Sequence, residues 1–211
     1  KIRGGSSAVP LKEATRRVAA VREAIGPDVK LMVDINGSWD ADTAIRMLKE
    51  WEKYDLYWLE EPVPPEDLDG YRRVKQHAGS VYIAAGEQNA GIHDFKRFVD
   101  NGVLDIAQPN ATATGGITDW LKIYHYVTTF NIPVCPWNLQ HIHIQLAAGL
   151  PNVKWIEYIS PDRDYYHNLF FRGPVIREEK TEDGIFLVPP DAHGFGLELD
   201  EEVAERTMVK E

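Results

Sequence analysis

Short apolar runs recur along the chain, separated by longer stretches in which apolar and polar residues alternate at helical spacing. The runs are rich in Val, Ile, Leu, Tyr and Trp, which is typical of strands that are buried on both faces. They cover residues 29–34, 56–60, 81–87, 104–108, 132–137 and 153–158. Residues 1–3 have the character of one further strand end. The pattern therefore predicts a sheet of short, buried strands.

The stretches between the runs predict amphipathic helices. The first has Pro10 in its first turn and Gly26 at the expected C-cap, and two others cover residues 40–54 and 115–131. Strands that alternate with helices favour parallel βαβ units. Successive strands begin about 20 to 27 residues apart, which is typical of a (β/α)₈ barrel. No Gly-x-Gly-x-x-Gly sequence follows a strand, as it does in dinucleotide-binding sheets. We therefore predict an α/β fold of the TIM-barrel type.

The regular repeat ends near residue 158. We predict that residues 1–158 form part of a (β/α) barrel that carries the functional site. Residues 159–211 are richer in turns and charge, and we expect them to form a tail packed on the same domain. The tail keeps a strand-like run, "IFLV", and a helical pattern at its end. Because a closed barrel has eight strands, we also expect the first strand and the N-terminal part of the complete fold to lie outside this chain.

The composition limits the classes of partner. Acidic residues outnumber basic residues by 33 to 23 in a chain of 211, which disfavours nucleic acid because its binding needs a basic surface. No apolar stretch approaches the roughly 20 residues that span a bilayer, so no membrane partner is predicted. The single cysteine, Cys135, excludes an internal disulfide and fits a reducing cytoplasm.

Three acidic residues occupy the same place in successive predicted units. Asp34, Glu60 and Glu87 each end a predicted strand. The carboxyl ends of parallel barrel strands meet at one rim, where barrel active sites lie, so the three carboxylates are expected to converge. Converging carboxylates need a counter-charge, and hard oxygen ligands that leave coordination positions open suit Mg²⁺. The alternative is a set of solvated acids at strand ends. Glu61 is expected to point to the opposite face and make a helix-facing salt bridge or cap.

Several motifs resemble the barrel domain of the enolase superfamily, in its mandelate racemase and muconate-lactonizing branch. They are "LMVDINGSW", "YWLEEP", "AAGE", "IAQPN" followed by "TGGIT", "WIEY" and the tail segment "DGIFLVPPDAHGFGLELD". The resemblance implies a modified barrel preceded by an N-terminal capping domain that this chain does not include, and Mg²⁺ held by Asp34, Glu60 and Glu87. It also implies removal of the proton α to a carboxylate, with the metal stabilising the enediolate.

The resemblance also points to candidate catalytic residues. Family members carry a Lys-x-Lys motif at the end of the second barrel strand, and Lys1 and Arg3 match it here. Arg3 stays protonated near neutral pH, which makes it a poor base and a good anion clamp, whereas Lys1 is a candidate base. The alternative is two solvated basic residues. Glu157 matches an acid that in the family hydrogen-bonds near the substrate carboxylate. Asn36 is expected to face the same site and to bind substrate or metal-bound water.

The branch's second base, a His–Asp dyad, is missing from the sequence. Asn110 stands at the aspartate position in "IAQPN", and Trp137 stands at the histidine position after "IPVCP". An amide cannot hold an imidazolium through charge and an indole does not take up protons, so these two residues are candidates for substrate binding. His141 and His143 lie nearby in a predicted helix and are the alternative bases.

These features favour a Mg²⁺-dependent lyase that dehydrates a sugar acid. A racemase needs bases on both faces of its substrate, so it ranks lower. The rival is a homologue that keeps the metal site, has lost its bases and serves binding or assembly. The expected partners are a small carboxylic acid of the sugar-acid class, further copies of the chain in a homo-oligomer, and an N-terminal capping segment outside this chain.

Overall fold

The chain folds into two compact units, Lys1–Val134 and Cys135–Glu211. The computed structural model describes residues 1–5, 8–160, 163–164, 169–172, 176–182 and 184–208. Within these residues no helix is both long and apolar enough to cross a membrane.

The first unit is built on a five-stranded sheet in which every neighbouring pair of strands is parallel. The strands follow chain order across the sheet, as expected for consecutive βαβ units. They are β1 (Ile2–Arg3), β2 (Leu31–Asp34), β3 (Leu56–Glu60), β4 (Tyr82–Ala85) and β5 (Ile106–Ala107). The predicted α/β class with a parallel sheet is therefore confirmed.

Helices connect the strands, as the amphipathic patterns predict. They are α1 (Leu11–Ile25), α2 (Ala41–Trp51), α3 (Leu68–His77), α4 (Ile92–Asp100) and α5 (Ile117–Thr129), and a 3₁₀ turn at Glu52–Tyr54 follows α2. Asp40 and Asp67 cap the N-termini of α2 and α3 through their side chains. Each cap satisfies a backbone N–H that has no partner within its own helix.

Large aromatic side chains fill the core of the first unit. Six of them are at most 2% exposed: Trp51, Trp58, Tyr71, Phe95, Phe98 and Trp120. Tyr71 on α3 packs edge-on against Phe98 on α4, with ring centroids 4.9 Å apart. Such packing fixes the helices relative to one another and to the sheet, so the ends of the strands are held in defined positions.

Among its described residues, the second unit contains one longer helix, two small antiparallel ribbons and a short C-terminal helix. The elements are α6 (Gln140–Gly149), β6 (Phe171–Arg172), β7 (Arg177–Thr181), β8 (Gly184–Val188), β9 (Glu198–Leu199) and α7 (Glu201–Thr207). Strand β6 pairs with β9, and β7 pairs with β8. The strand-like "IFLV" run and the terminal helix predicted for the tail are therefore confirmed.

The strand predicted at residues 132–137 does not form. Val134 makes an isolated parallel bridge to Ala107, and the rest of this run has no strand conformation. Pro133 and Pro136 explain the difference, because proline has no N–H to donate to a ladder. The apolar composition of the run signals burial correctly and says too little about backbone pairing.

The strand predicted at residues 153–158 is also wrong. Its Glu157 N–H reaches the Pro136 carbonyl at 3.5 Å, which is longer than the roughly 2.7–3.2 Å of an ordinary N–H···O hydrogen bond. Pro133 and Pro136 remove two donors from the run at residues 132–137. The run at residues 153–158 therefore finds few partners there, and neither run forms a ladder. Closure of the sheet into a barrel and the domain boundary at residue 158 stay predictions.

Arg22 joins the end of α1 to the segments before β2 and β3. Its guanidinium donates to the carbonyls of Tyr54, Gly26, Val29 and Asp55 over distances of 2.7–2.8 Å. The planar guanidinium carries five N–H donors, so one side chain satisfies several loop carbonyls at once.

We expect Arg22→Ala to lower the free energy of unfolding by about 2 kcal/mol, because it leaves several carbonyls without their charged donor. Urea melts of the two proteins measure the change. Arg16→Ala is the matched control, since Arg16 bonds only the exposed Glu13 in the described contacts. Equal losses for the two variants would contradict the role given to Arg22.

Candidate metal centre

Three carboxylates converge at the carboxyl ends of β2, β3 and β4. One oxygen each from Asp34, Glu60 and Glu87 lies within 4.8 Å of the others. We call these three residues the carboxylate cluster. Asp34 and Glu60 are register partners in the β2–β3 ladder and are at most 3% exposed, and Glu87 is half-buried. The parallel register thus places two acids side by side, and the third reaches them from the next loop.

Glu87 does not end its strand, contrary to the prediction. Strand β4 ends at Ala85, two residues earlier. Gly86 has a φ of 139°, and a Cβ at this position would lie 2.8 Å from the Phe95 ring. The chain therefore turns at Gly86, where glycine alone fits, and Glu87 enters the cluster from a loop.

Lys1 supplies positive charge to the cluster. Its Nζ donates to Glu60 Oε1 at 2.5 Å and lies 3.4 Å from Asp34 Oδ2. The lysine side chain is only 19% exposed in this position. Trp58 Nε1 donates to the other oxygen of Glu60 at 3.0 Å, so both Glu60 oxygens are hydrogen-bonded.

Asn36 bridges two members of the cluster, and its predicted contact with substrate or metal-bound water stays a prediction. Its Nδ2 donates to Glu87 Oε1 at 3.0 Å and to Asp34 Oδ2 at 3.4 Å. Its backbone N–H donates to Asp34 Oδ1 at 2.9 Å. Asn36 has a φ of 49°, and asparagine tolerates this left-handed region better than most residues. Its side-chain amide thereby orients one carboxylate at the end of β2 and one on the loop after β4.

The cluster lacks enough positive charge for its burial. The pKa of Glu87 is raised to about 8, first by burial and then by the negative charges of Glu61, Asp34 and Glu60. The pKa of Glu60 is raised to about 7 by burial, and Lys1 opposes this rise. Burial and like charge therefore favour a proton on Glu87 near neutral pH and hold part of Glu60 protonated, unless further positive charge joins them.

The donor set fits a hard divalent cation. All three donors are carboxylate oxygens, the ligand type that Mg²⁺ and Ca²⁺ prefer. Around octahedral Mg²⁺, two opposite ligands stand about 4.2 Å apart and two neighbouring ligands about 3 Å apart, since each bond is about 2.1 Å long. The oxygens lie within 4.8 Å of one another, so a small inward shift of the side chains suffices. The elevated pKa values show that the cluster would gain from such a charge.

Glu61 differs from its prediction. It makes no salt bridge to a helix among the described contacts, and its side chain is fully buried. Its Oε2 accepts a hydrogen bond from Gln88 Nε2 at 2.5 Å. The alternation of a strand predicts that Glu61 faces away from Glu60. It does not predict the partner Gln88, because that contact depends on the tertiary fold.

Two other predicted site residues belong to the first unit. Arg3 is exposed and is the register partner of Asp34 in the β1–β2 ladder. Asn110 is buried, and its Oδ1 accepts from both the N–H and the hydroxyl of Thr112 at 2.8 Å. The amide oxygen of Asn110 therefore stabilises the turn that follows β5.

Glu157 and Trp137 lie in the second unit, next to a turn with unusual backbone angles. Asn138 and Leu139 have φ values of 53° and 45°. Glu157 Oε2 accepts from the Asn138 N–H at 2.9 Å, and His143 Nδ1 donates to the Asn138 carbonyl at 2.6 Å. Strained turns of this kind persist only where surrounding contacts hold them, and here two side chains do so.

His141 has an acidic partner that the sequence does not reveal. Its Nε2 lies 3.2 Å from Asp164 Oδ2, and Gln140 Nε2 donates to the same oxygen at 3.0 Å. Burial lowers the pKa of His141, and Asp164 opposes this effect. Asp164 follows the regular repeat and carries no motif, so sequence reasoning had no signal for this pair.

The sequence as a whole matches a known family. A family model described as enolase C-terminal domain-like matches residues 1–203. L-talarate/galactarate dehydratase of Salmonella typhimurium is 31% identical over 198 residues, which cover 93% of this chain and 47% of that protein. The resemblance to the enolase superfamily is therefore confirmed.

Solved structures give the same result. A racemase from Streptomyces coelicolor with bound magnesium has a TM-score of 0.83 and 30% identity, covering 97% of this chain and 54% of that one. L-talarate dehydratase from Polaromonas sp., complexed with Mg and L-glucarate, has a TM-score of 0.82 and 29% identity, covering 97% and 52%. Both neighbours contain magnesium, the metal that the sequence predicts for this family. The chain spans about half the length of the relatives it matches.

We expect the affinity of the cluster for Mg²⁺ or Mn²⁺ to rise with pH between about 6 and 8. In the metal-free protein Glu60 and Glu87, with pKa values of about 7 and about 8, hold protons that a cation must displace. Each displaced proton changes the affinity by roughly ten-fold per pH unit below the pKa. Isothermal titration calorimetry at pH 6, 7, 8 and 9 measures the trend. An affinity that stays constant from pH 6 to 8 would contradict the raised pKa values.

Proposed function

The chain belongs to the enolase superfamily, and from this premise we propose that it supplies the metal-binding part of an enzyme that dehydrates a sugar acid. The reaction begins with removal of the proton α to the substrate carboxylate. The observation that carries the proposal is the convergence of Asp34, Glu60 and Glu87 on one point, with Lys1 Nζ at hydrogen-bond distance from Glu60. Relatives named as sugar-acid dehydratases support the substrate class.

Asp34, Glu60 and Glu87 would hold Mg²⁺. When bound, the ion supplies positive charge that offsets the negative charge developing on the substrate carboxylate as its α-proton leaves. Asn36 orients two of the three ligands through its amide, and Trp58 orients the third through its indole N–H. Ligands held in this way need little rearrangement when the cation binds.

Lys1 is the proposed acceptor of the α-proton. A lysine accepts a proton only as the neutral amine, and the amine must lie within hydrogen-bond reach of the reacting carbon's proton. Lys1 Nζ lies beside two of the proposed ligands, which supports a role next to a carboxylate bound at the cluster. Arg3, always protonated, is proposed to bind the substrate carboxylate as a fixed positive charge.

Four further residues are proposed to contact the substrate. Asn110 and Trp137 stand at the positions of the missing dyad, where an amide and an indole bind hydroxyl groups without exchanging protons. Glu157, which now holds the Asn138 N–H, is proposed to hydrogen-bond near the substrate carboxylate. Asn36 is proposed to add a polar contact beside the cluster.

The enclosing walls of the site are proposed to come from outside the described sheet. We propose that the sheet closes into a barrel and that a capping segment and neighbouring copies in a homo-oligomer cover the mouth. The half-length match to the relatives supports a contribution from further chain. Excluding water in this way strengthens every electrostatic interaction in the site.

The second candidate is a homologue that binds the cation and has lost the chemistry. The observation that favours it is the use of the Asn110 amide oxygen in a local turn, together with a tryptophan, Trp137, at the other dyad position. A racemase would need a second base opposite Lys1, so it ranks third.

Hydrogen–deuterium exchange at the α-carbon tests the proposal. The intact protein with Mg²⁺ in D₂O is expected to exchange the α-proton of at least one acid in a panel of sugar acids, followed by NMR. Lys1→Met is expected to slow this exchange about 100-fold or more, the usual contribution of a general base. Lys12→Met, on the exposed face of α1, is the matched control and is expected to exchange normally.

The outcomes separate the candidates. Exchange that persists unchanged in Lys1→Met would remove Lys1 as the base. A wild-type protein that binds Mg²⁺ but exchanges no acid in the panel would favour the binding homologue over the enzyme.

A further inference from the structure

Glu61 sits at a point where three functional loops meet. Its backbone N–H donates to the Ala84 carbonyl at 2.9 Å, and its carbonyl accepts from the Gly37 N–H at 2.8 Å. It thereby ties the turn after β3 to strand β4 and to the loop after β2. Glu61 has a φ of 41°, which is uncommon for a residue other than glycine and is held only by surrounding contacts.

The side chain of Glu61 is fully buried and reaches a third loop. Its Oε2 accepts from Gln88 Nε2 at 2.5 Å, and its Oε1 has no hydrogen-bond partner among the described residues. Burying a carboxyl group with one oxygen unsatisfied costs free energy, so a purely structural account would favour an apolar residue here. The free-energy cost of burying this carboxyl group indicates that its contact with Gln88 does more than stabilise the fold.

Gln88 directly follows Glu87, the one cluster member that a strand does not hold. Its side-chain amide contacts Glu61 and also lies close to Gly37. A Cβ added to Gly37 would be 3.5 Å from Gln88 Nε2. The carboxylate of Glu87 is oriented from the other side by Asn36 Nδ2. The loop after β4 is therefore held at two adjacent residues. Glu87 is held by Asn36 through its carboxylate, and Gln88 is held by Glu61 through its side-chain amide.

We propose that Glu61 is a positioning residue that holds Gln88, and through it Glu87, in the geometry that binds the cation. Asp34 and Glu60 are fixed by the β2–β3 ladder, whereas the position of Glu87 depends on loop contacts. The inference rests on the proposed function, because it assigns Glu61 a role at the proposed cation site. Residues that orient metal ligands change affinity by roughly 10- to 100-fold when they are removed.

Gln88→Ala in the intact protein is the sharpest test. Gln88 is exposed, so its truncation removes the side-chain hydrogen bond to Glu61 without opening a core cavity. We expect the affinity for Mn²⁺, measured by electron paramagnetic resonance, to fall roughly ten-fold. The melting temperature of the metal-free protein is expected to fall as well, because the buried Glu61 Oε2 loses its side-chain donor, so the Mn²⁺ affinity is the deciding readout. Gln76→Ala, the same change on an exposed position of α3, is the matched control and is expected to bind Mn²⁺ normally.

Variants at Glu61 complete the test. Glu61→Ala is expected to weaken Mn²⁺ binding at least as much as Gln88→Ala does. The double variant is expected to bind no more weakly than Glu61→Ala alone, since both changes remove the same side-chain hydrogen bond. Glu61→Gln keeps an oxygen acceptor for Gln88 and is expected to retain most of the affinity. This rescue distinguishes the hydrogen bond from the size of the side chain.

The failures of the two proposals are distinguishable. If the wild-type protein binds Mn²⁺ and Gln88→Ala binds it equally well, the positioning role is overturned and the proposed function stands. If Glu61→Ala lowers the melting temperature and leaves Mn²⁺ affinity unchanged, Glu61 is structural and the inference is overturned. If the wild-type protein binds no Mn²⁺, the proposed cation site fails and the positioning role fails with it.

Discussion

The burial of two carboxylates and part of a third, together with their mutual repulsion, is the constraint on which the rest of the site depends. Asp34, Glu60 and Glu87 bring oxygens within 4.8 Å of one another in a place that largely excludes water. Like charges at this distance and the loss of hydration both oppose ionisation, which is why the pKa values of Glu60 and Glu87 rise to about 7 and about 8. Lys1 and Asn36 offset part of this cost, and a divalent cation would offset the rest.

The fold imposes this arrangement through backbone geometry. The parallel register puts Asp34 beside Glu60, and the ladder continues past them when the Ile35 N–H donates to the Glu60 carbonyl at 3.0 Å. Gly86 lets the chain leave β4 so that Glu87 turns toward the other two. An elaborate set of loop contacts is needed for this third acid alone, because strand pairing does not reach it. A site with one ligand on a loop binds its ion only as well as that loop is held.

The parts of the fold that could be predicted are those that depend on local pattern. Strand β3 ends at Glu60 as its apolar run indicates, and Asp34 ends β2 for the same reason. The run at residues 132–137 shows the limit, because composition signals burial while two prolines prevent pairing. Side-chain hydrogen bonds between distant loops cannot be predicted from the hydrophobic pattern. The bonds from Glu61 to Gln88 and from His141 to Asp164 join residues 27 and 23 positions apart, and only the tertiary fold sets them.

Anomalous diffraction from crystals of the intact protein grown with Mn²⁺ tests the central claim most directly. The account predicts one strong anomalous peak bonded to an oxygen of each of Asp34, Glu60 and Glu87 at distances of about 2.1–2.3 Å, as hard-cation coordination requires. Lys1 Nζ would then stand beside the ion instead of bonding Glu60. A peak at any other group of side chains, or carboxylates that keep their hydrogen bonds to Lys1 and Asn36 with no ion between them at saturating Mn²⁺, would contradict it.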